Sequence, residues 1–171
     1  MIEISFIKQG GISSGSWNVN DEEGFGIEEG EVRDVPSLQA PGFIKAQADG
    51  NFKDVSSAIS GDLILRIRSN TPEYPAFRVS FGALFSREFK AKFSVPTGEE
   101  FSEIRIPFNE FSNRCSPATG EQLVTCAEDP NVCPTIETLS NLRRITLWAE
   151  GAKGNVHLEV QSISASINTK Y

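Results

Sequence analysis

A chain of 171 residues with 39% apolar and 23% charged side chains can bury a sizeable core, and we read residues 1–171 as a single domain. Sixteen basic against twenty-three acidic residues leave a net charge of −7. That balance excludes the clustered basic face that nucleic acid requires and argues against adsorption to an anionic membrane. No apolar run approaches the ~20 residues that span a bilayer.

The first residues, Met1 to Ile7, alternate like a strand. They carry neither a basic leader with a long apolar core nor an Arg-rich presequence, so the chain is either made without an address or is a mature form. Gly10 to Ser16 is a Gly/Ser turn that leads to Trp17. An acidic run follows: Asp21, Glu22, Glu23, Glu28, Glu29, Glu31 and Asp34, with Arg33 the only base and Gly24, Gly26 and Gly30 between the acids. Repulsion among like charges predicts a solvated loop until about Glu31. The alternative is a Ca²⁺ site, because hard cations take several carboxylate oxygens on a glycine-permitted bend. The run lacks EF-hand spacing. Pro41-Gly42 then turns into a strand through Ala48, and Asp54 to Ile59 reads as one helical turn ended by Gly61.

From Gly61 to Phe111 the period is two. The pieces are Leu63–Ser69, Phe77–Phe81, Phe89–Phe93 and Ile104–Phe108, separated by turn residues, and they predict four antiparallel strands with Phe77 and Phe81 on the core face. Residues 112–134 are polar, aperiodic and hold all the cysteines. A stretch of that length predicts an interaction loop. Cys126 and Cys133 flank a turn-rich segment that could join them in a disulfide, against the alternative of two reduced thiols. Since the total of three cysteines, Cys115, Cys126 and Cys133, is odd, at least one thiol stays free or pairs with another chain. Pro134 to Leu139 predicts a short helix capped by Thr135, with Ile136, Leu139 and Leu142 facing the core. Arg144–Ala149 and Val156–Val160 then predict a hairpin closed at Gly151–Gly154.

The sum is an all-β fold, a two-sheet antiparallel jelly-roll sandwich with one or two short helical turns. Little in it suggests catalysis. His157 is the only histidine and alternates away from Val156 and Leu158, so it faces outwards or into a polar cleft. No zinc-ligand spacing, nucleophile elbow or phosphate-cradling loop is present, and we expect no enzyme activity, cofactor or metal. Trp148 lies off the apolar face of its strand, either in a cleft where it could stack on a sugar or in a second buried layer. Asp21, Glu22, Glu23, Glu28, Glu29 and Trp148 are the candidate interaction residues.

Several of these pieces occur together in one family. Gly30-Glu31-Val32, Pro41-Gly42-Phe43-Ile44-Lys45, Tyr74-Pro75-Ala76-Phe77, Phe93-Ser94-Val95-Pro96, Ile104 to Phe111 and Leu147-Trp148-Ala149-Glu150-Gly151 resemble the complex I intermediate-associated protein 30 family from about Trp17 to Ser164. Algal members share the Thr119-Gly120-Glu121 and Cys133-Pro134-Thr135 pieces. Where the family has Met-Gly-Gly after Asn-Asp, this chain has Glu22-Glu23-Gly24-Phe25-Gly26, so no binding role carries over to that turn. The resemblance implies a galactose-binding-like jelly roll that docks on subunits of an organellar membrane complex, respiratory complex I or a photosystem. It also implies a plastid or mitochondrial location at the membrane periphery, in a mature form without its targeting segment. The alternative function is a glycan-binding module, Ca²⁺-dependent if the acidic run takes part.

Overall fold

A computed structural model describes residues 3–6 and 12–167. Its strands are β1 (Glu3–Phe6), β2 (Ser14–Asn20), β3 (Phe25–Val32), β4 (Asp34–Val35), β5 (Ala40–Pro41) and β6 (Phe43–Asp49). They continue as β7 (Asp62–Arg68), β8 (Phe77–Gly82), β9 (Phe89–Phe93), β10 (Ser102–Pro107), β11 (Arg144–Glu150) and β12 (Gly154–Ser166). One five-stranded antiparallel sheet has the order β1-β6-β11-β8-β9, and the other has β10-β7-β12-β3-β2. Without the outermost β1 and β2, these are the interleaved four-stranded sheets of a jelly roll, so the architecture expected from periodicity is the one observed.

The core follows from the pleat. Leu63, Leu65 and Ile67 point inwards from β7, Phe77, Val79 and Phe81 from β8, and all are buried. Phe81 packs against Phe111, Phe108 and Phe89 with ring centroids 4.8, 5.7 and 6.1 Å apart. Fully burying each such ring contributes about 1.5–3 kcal/mol. The strands read between Gly61 and Phe111 divide between the sheets: β8 pairs with β9 in one, while β7 pairs with β10 in the other.

Other local expectations change. Arg144–Ala149 and Val156–Val160 do not form a hairpin. β11 pairs with β6 and β8, β12 with β3 and β7, and the chain arches from one sheet to the other at residues 151–153. Tyr74 holds that arch by donating to the Ala152 carbonyl at 2.7 Å. The short helix α1 (Ile136–Ser140) is capped by Thr135 as expected, and Leu139 and Leu142 are buried, but Ile136 is 63% exposed. The acidic run is a solvated turn only through Gly24: β3 begins at Phe25, not near Glu31, and is sandwiched between β2 and β12. Residues 112–134 hold no strand, only a 3-10 turn at Pro130–Val132, and they lie against β9. Ser112 exchanges two backbone hydrogen bonds with Lys90 on β9, and Gln122 donates to the carbonyls of Lys90 and Glu110.

Candidate functional site

The outward residues of the first sheet form the densest polar cluster. Lys45 and Gln47 come from β6, Thr146, Trp148 and Glu150 from β11, Arg78 and Ser80 from β8, and Lys90 from β9. An outward sheet face is ordinarily wet, yet Gln47, Arg78, Ser80, Thr146 and Glu150 are all buried here. Residues 109–127 cover part of this face, with Glu121 on Arg78 and Gly120 against Glu150.

Trp148 is the hub. Its Nε1 donates to Ser80 Oγ at 2.7 Å, and Ser80 Oγ donates to Glu88. The Lys90 ammonium lies 3.8 Å and the Lys45 ammonium 4.9 Å from its ring centroid, while Phe43 meets the ring edge-on. Such cation–π contacts strengthen as water is removed. Burial holds the Lys45 amine below the ordinary lysine range. Lys90 is paired to Glu150, and the Arg78 guanidinium donates to the Glu150 and Ala76 carbonyls and to Glu121 Oε1, the last at 3.3 Å. Gly120 makes this packing possible: at φ +71 its missing Cβ would lie 2.0 Å from Glu150 Oε1.

Between this face and the covering segment lies a cleft of about 460 Å³. Its floor is Arg78, Lys90 and Lys92, and its wall includes Glu110, Glu121 and Gln122. Cys126 lines the same wall and is joined to Cys133 by a disulfide, while Cys115 is a free thiol. The cleft offers cations, carboxylates and amides side by side. It is equipped to bind a polar surface; we see no nucleophile and base brought together in it.

The candidate acids do not form one surface. Asp21, Glu22 and Glu23 are exposed on the β2–β3 turn, where Asn20 Oδ1 accepts from the Glu23 amide. Glu28 and Glu29 point to opposite faces of β3. Glu28 is fully buried between the sheets in register with Trp17 and Leu158, so it cannot belong to an interaction surface. Neither its carboxyl nor the Trp17 Nε1 has a hydrogen-bond partner among the described residues, and burial pushes the Glu28 carboxyl up to about 8. Glu29 turns outwards to His157 Nδ1 at 2.7 Å, and Glu159 meets Nε2 at 2.9 Å. His157 thus faces outwards, held between two carboxylates. Among the described residues no group of three or more His, Cys, Asp or Glu is placed to hold a metal ion.

Sequence reasoning placed Trp148 off the core face, where it is found, and missed Arg78, Lys90 and Glu150. A signal was present: Arg78 and Lys90 alternate with apolar residues inside strands, where a charge taken from water needs a partner. Among the described residues no helix is long and apolar enough to cross a membrane.

No protein-family model and no curated protein matches the chain. Solved structures do. The structure of PfGH50B is matched over 100% of this chain at 11% identity with a TM-score of 0.58. An exo-β-agarase is matched over 96% at 14% identity and a TM-score of 0.51, and the agarase AgWH50C over 97% at 11% and 0.55. The chain spans 23–24% of the length of these proteins. At such identities the likeness is one of fold, an all-β sandwich that recurs as a segment of larger chains.

Proposed function

We propose that this chain is a non-catalytic docking domain that binds protein subunits of an organellar membrane electron-transfer complex, as an assembly or peripheral component. The observation that carries the reading is the cleft on the outer face of the first sheet. Its wall is the long aperiodic segment of the chain, ordered against β9 and pinned at Cys126–Cys133. Interleaved cations and acids on a preordered wall suit a protein surface of complementary charge, because little further ordering entropy is lost on binding. The sequence resemblance supplies the class of partner. The test is affinity capture from organelle membranes, followed by migration on native gels. Wild type should travel with a membrane complex, and the charge reversals Lys92→Glu and Glu110→Lys, both at exposed cleft residues, should release it without lowering the melting temperature. Recovery of the protein only as a free species in such extracts overturns the reading.

A second reading is a glycan-binding module. Trp148 beside a polar cleft favours it, as does the shared fold with segments of two agarases. Against it, the Trp148 ring already carries two ammonium groups, so a sugar would have to displace them. Titration with agaro-oligosaccharides, with and without Ca²⁺, distinguishes the two. A change in tryptophan fluorescence that is lost in Trp148→Phe would establish the glycan reading.

A further inference from the structure

The turn between β8 and β9 carries an apolar tip that the cleft does not use. Leu84 is 42% exposed and Phe85 is 102% exposed, the most solvent-accessible large apolar side chain among the described residues. Single exposed apolar residues are common and need no explanation. Phe85 differs in its backbone. It has φ +63, a left-handed conformation that L residues avoid and that turns usually assign to Gly or Asn. The turn is closed by the Ser86 amide and hydroxyl donating to the Ala83 carbonyl, at 3.4 and 2.8 Å. A bulky ring is therefore held out into water by a strained backbone, and no neighbour within the fold repays it. Conformations of this kind gather where chains bind.

Cations flank the tip. Arg87 follows it by two residues, and Arg143 lies at its base, where the Arg143 amide donates to the Gly82 carbonyl at 2.9 Å. Neither side chain forms an ion pair among the described residues. The nearby acid, Glu88, is engaged by Ser80 and lies 3.8 Å from Arg144.

We propose that the Leu84–Phe85 tip inserts into the interfacial layer of a phospholipid bilayer, with Arg87 and Arg143 on lipid phosphates. Shape favours lipid over a protein pocket. Two residues on a convex tip are far too few for a stable protein interface, which needs roughly 1,000 Å², whereas a fluid interface needs no preformed complement. Arg87, two residues beyond the ring, and Arg143, bonded through its amide at the base of the turn, are the cations that would meet phosphates once the ring is in the acyl boundary. The net charge of −7 opposes approach to strongly anionic membranes, so contact should be weak and should serve to orient a domain held by its partner.

The test uses the whole chain and lipid-only vesicles, one set of phosphatidylcholine and one of phosphatidylcholine with phosphatidylglycerol. Such vesicles carry no protein partner, so the outcome is separate from that of the docking reading. Wild type should co-sediment with at least one set. Phe85→Gly should weaken binding about tenfold or more while keeping or raising the melting temperature, because glycine accepts φ +63 without strain. Leu84→Ser should weaken it less. In Phe85→Trp, the added indole emission should shift to the blue on vesicle addition. Absence of wild-type binding to both vesicle sets overturns the proposal, as does equal binding by wild type and Phe85→Gly. Attachment only to membranes that contain protein assigns the tip to a partner instead.

Discussion

Two groups of buried polar side chains are treated oppositely. On the outer face of the first sheet, Arg78, Lys90, Glu150, Trp148 and Ser80 each meet a partner from another strand, and Thr146 Oγ1 alone of that buried set lacks one among the described residues. Between the sheets, Glu28 and Trp17 lie side by side in register with no partner among the described residues. A satisfied network is damaged by removing any member, because the remaining groups are stranded. An unsatisfied group already carries its desolvation penalty, so removing it should help.

The largest expected effect is in the first region. Glu150→Ala strands the Lys90 ammonium, whose side chain is only 12% exposed, and should cost about 3 kcal/mol in urea unfolding. A neutral result would mean that the network contributes little. The opposite sign is expected for Glu28→Leu, a gain of about 1–3 kcal/mol at neutral pH.

The pH dependence refines that contrast. The folded chain keeps the Glu28 proton up to about pH 8, whereas the unfolded chain releases it near 4.5. Between those values the folded state binds more protons, so this residue lowers stability as pH rises, by at most about 1.4 kcal/mol per pH unit. Below the lower value both states hold the proton, and the pH-dependent part of its penalty vanishes. Glu28→Gln should flatten that slope in urea midpoints measured from about pH 5 to about pH 8. An unchanged slope would assign the dependence to other groups.

Smaller effects bound the comparison. Trp148→Phe keeps a ring between the two lysines but loses the bond to Ser80, which should lower stability by about 1 kcal/mol. Lys153→Ala removes an exposed pair with Asp34 and should shift unfolding by less than about 0.5 kcal/mol.

Local pattern made the sandwich legible and left its pairings obscure. Leu63, Leu65 and Ile67 declare a core face in their own spacing, and Thr135 declares a helix start. The same spacing in Arg144–Ala149 and Val156–Val160 suits a hairpin or an arch equally, because alternation records which side a residue faces and not which strand lies beside it. β3 was hidden for a related reason. Its acids repel if taken as neighbours along the chain, but the pleat sends Glu28 inwards and Glu29 outwards to His157, which lies 128 residues away. The candidate cleft is assembled from β8, β9 and the covering segment, whose contacts are fixed by long-range pairing. Trp148 could be placed off the core from its own strand alone, whereas its lysines could not be named.

The pairing of Ser112 with Lys90 bears on how copies of this chain meet. An open sheet ends in a row of free amides and carbonyls, a template on which a strand from another molecule can grow. At the β9 border that position is taken by the chain's own returning segment, with the Gln122 side chain on the Lys90 carbonyl as well. Lys92, exposed on the same strand, adds charge along that border. The excursion that walls the cleft is thus also a guard against self-templated fibre growth, and a homologue that lost it would need another device along that edge.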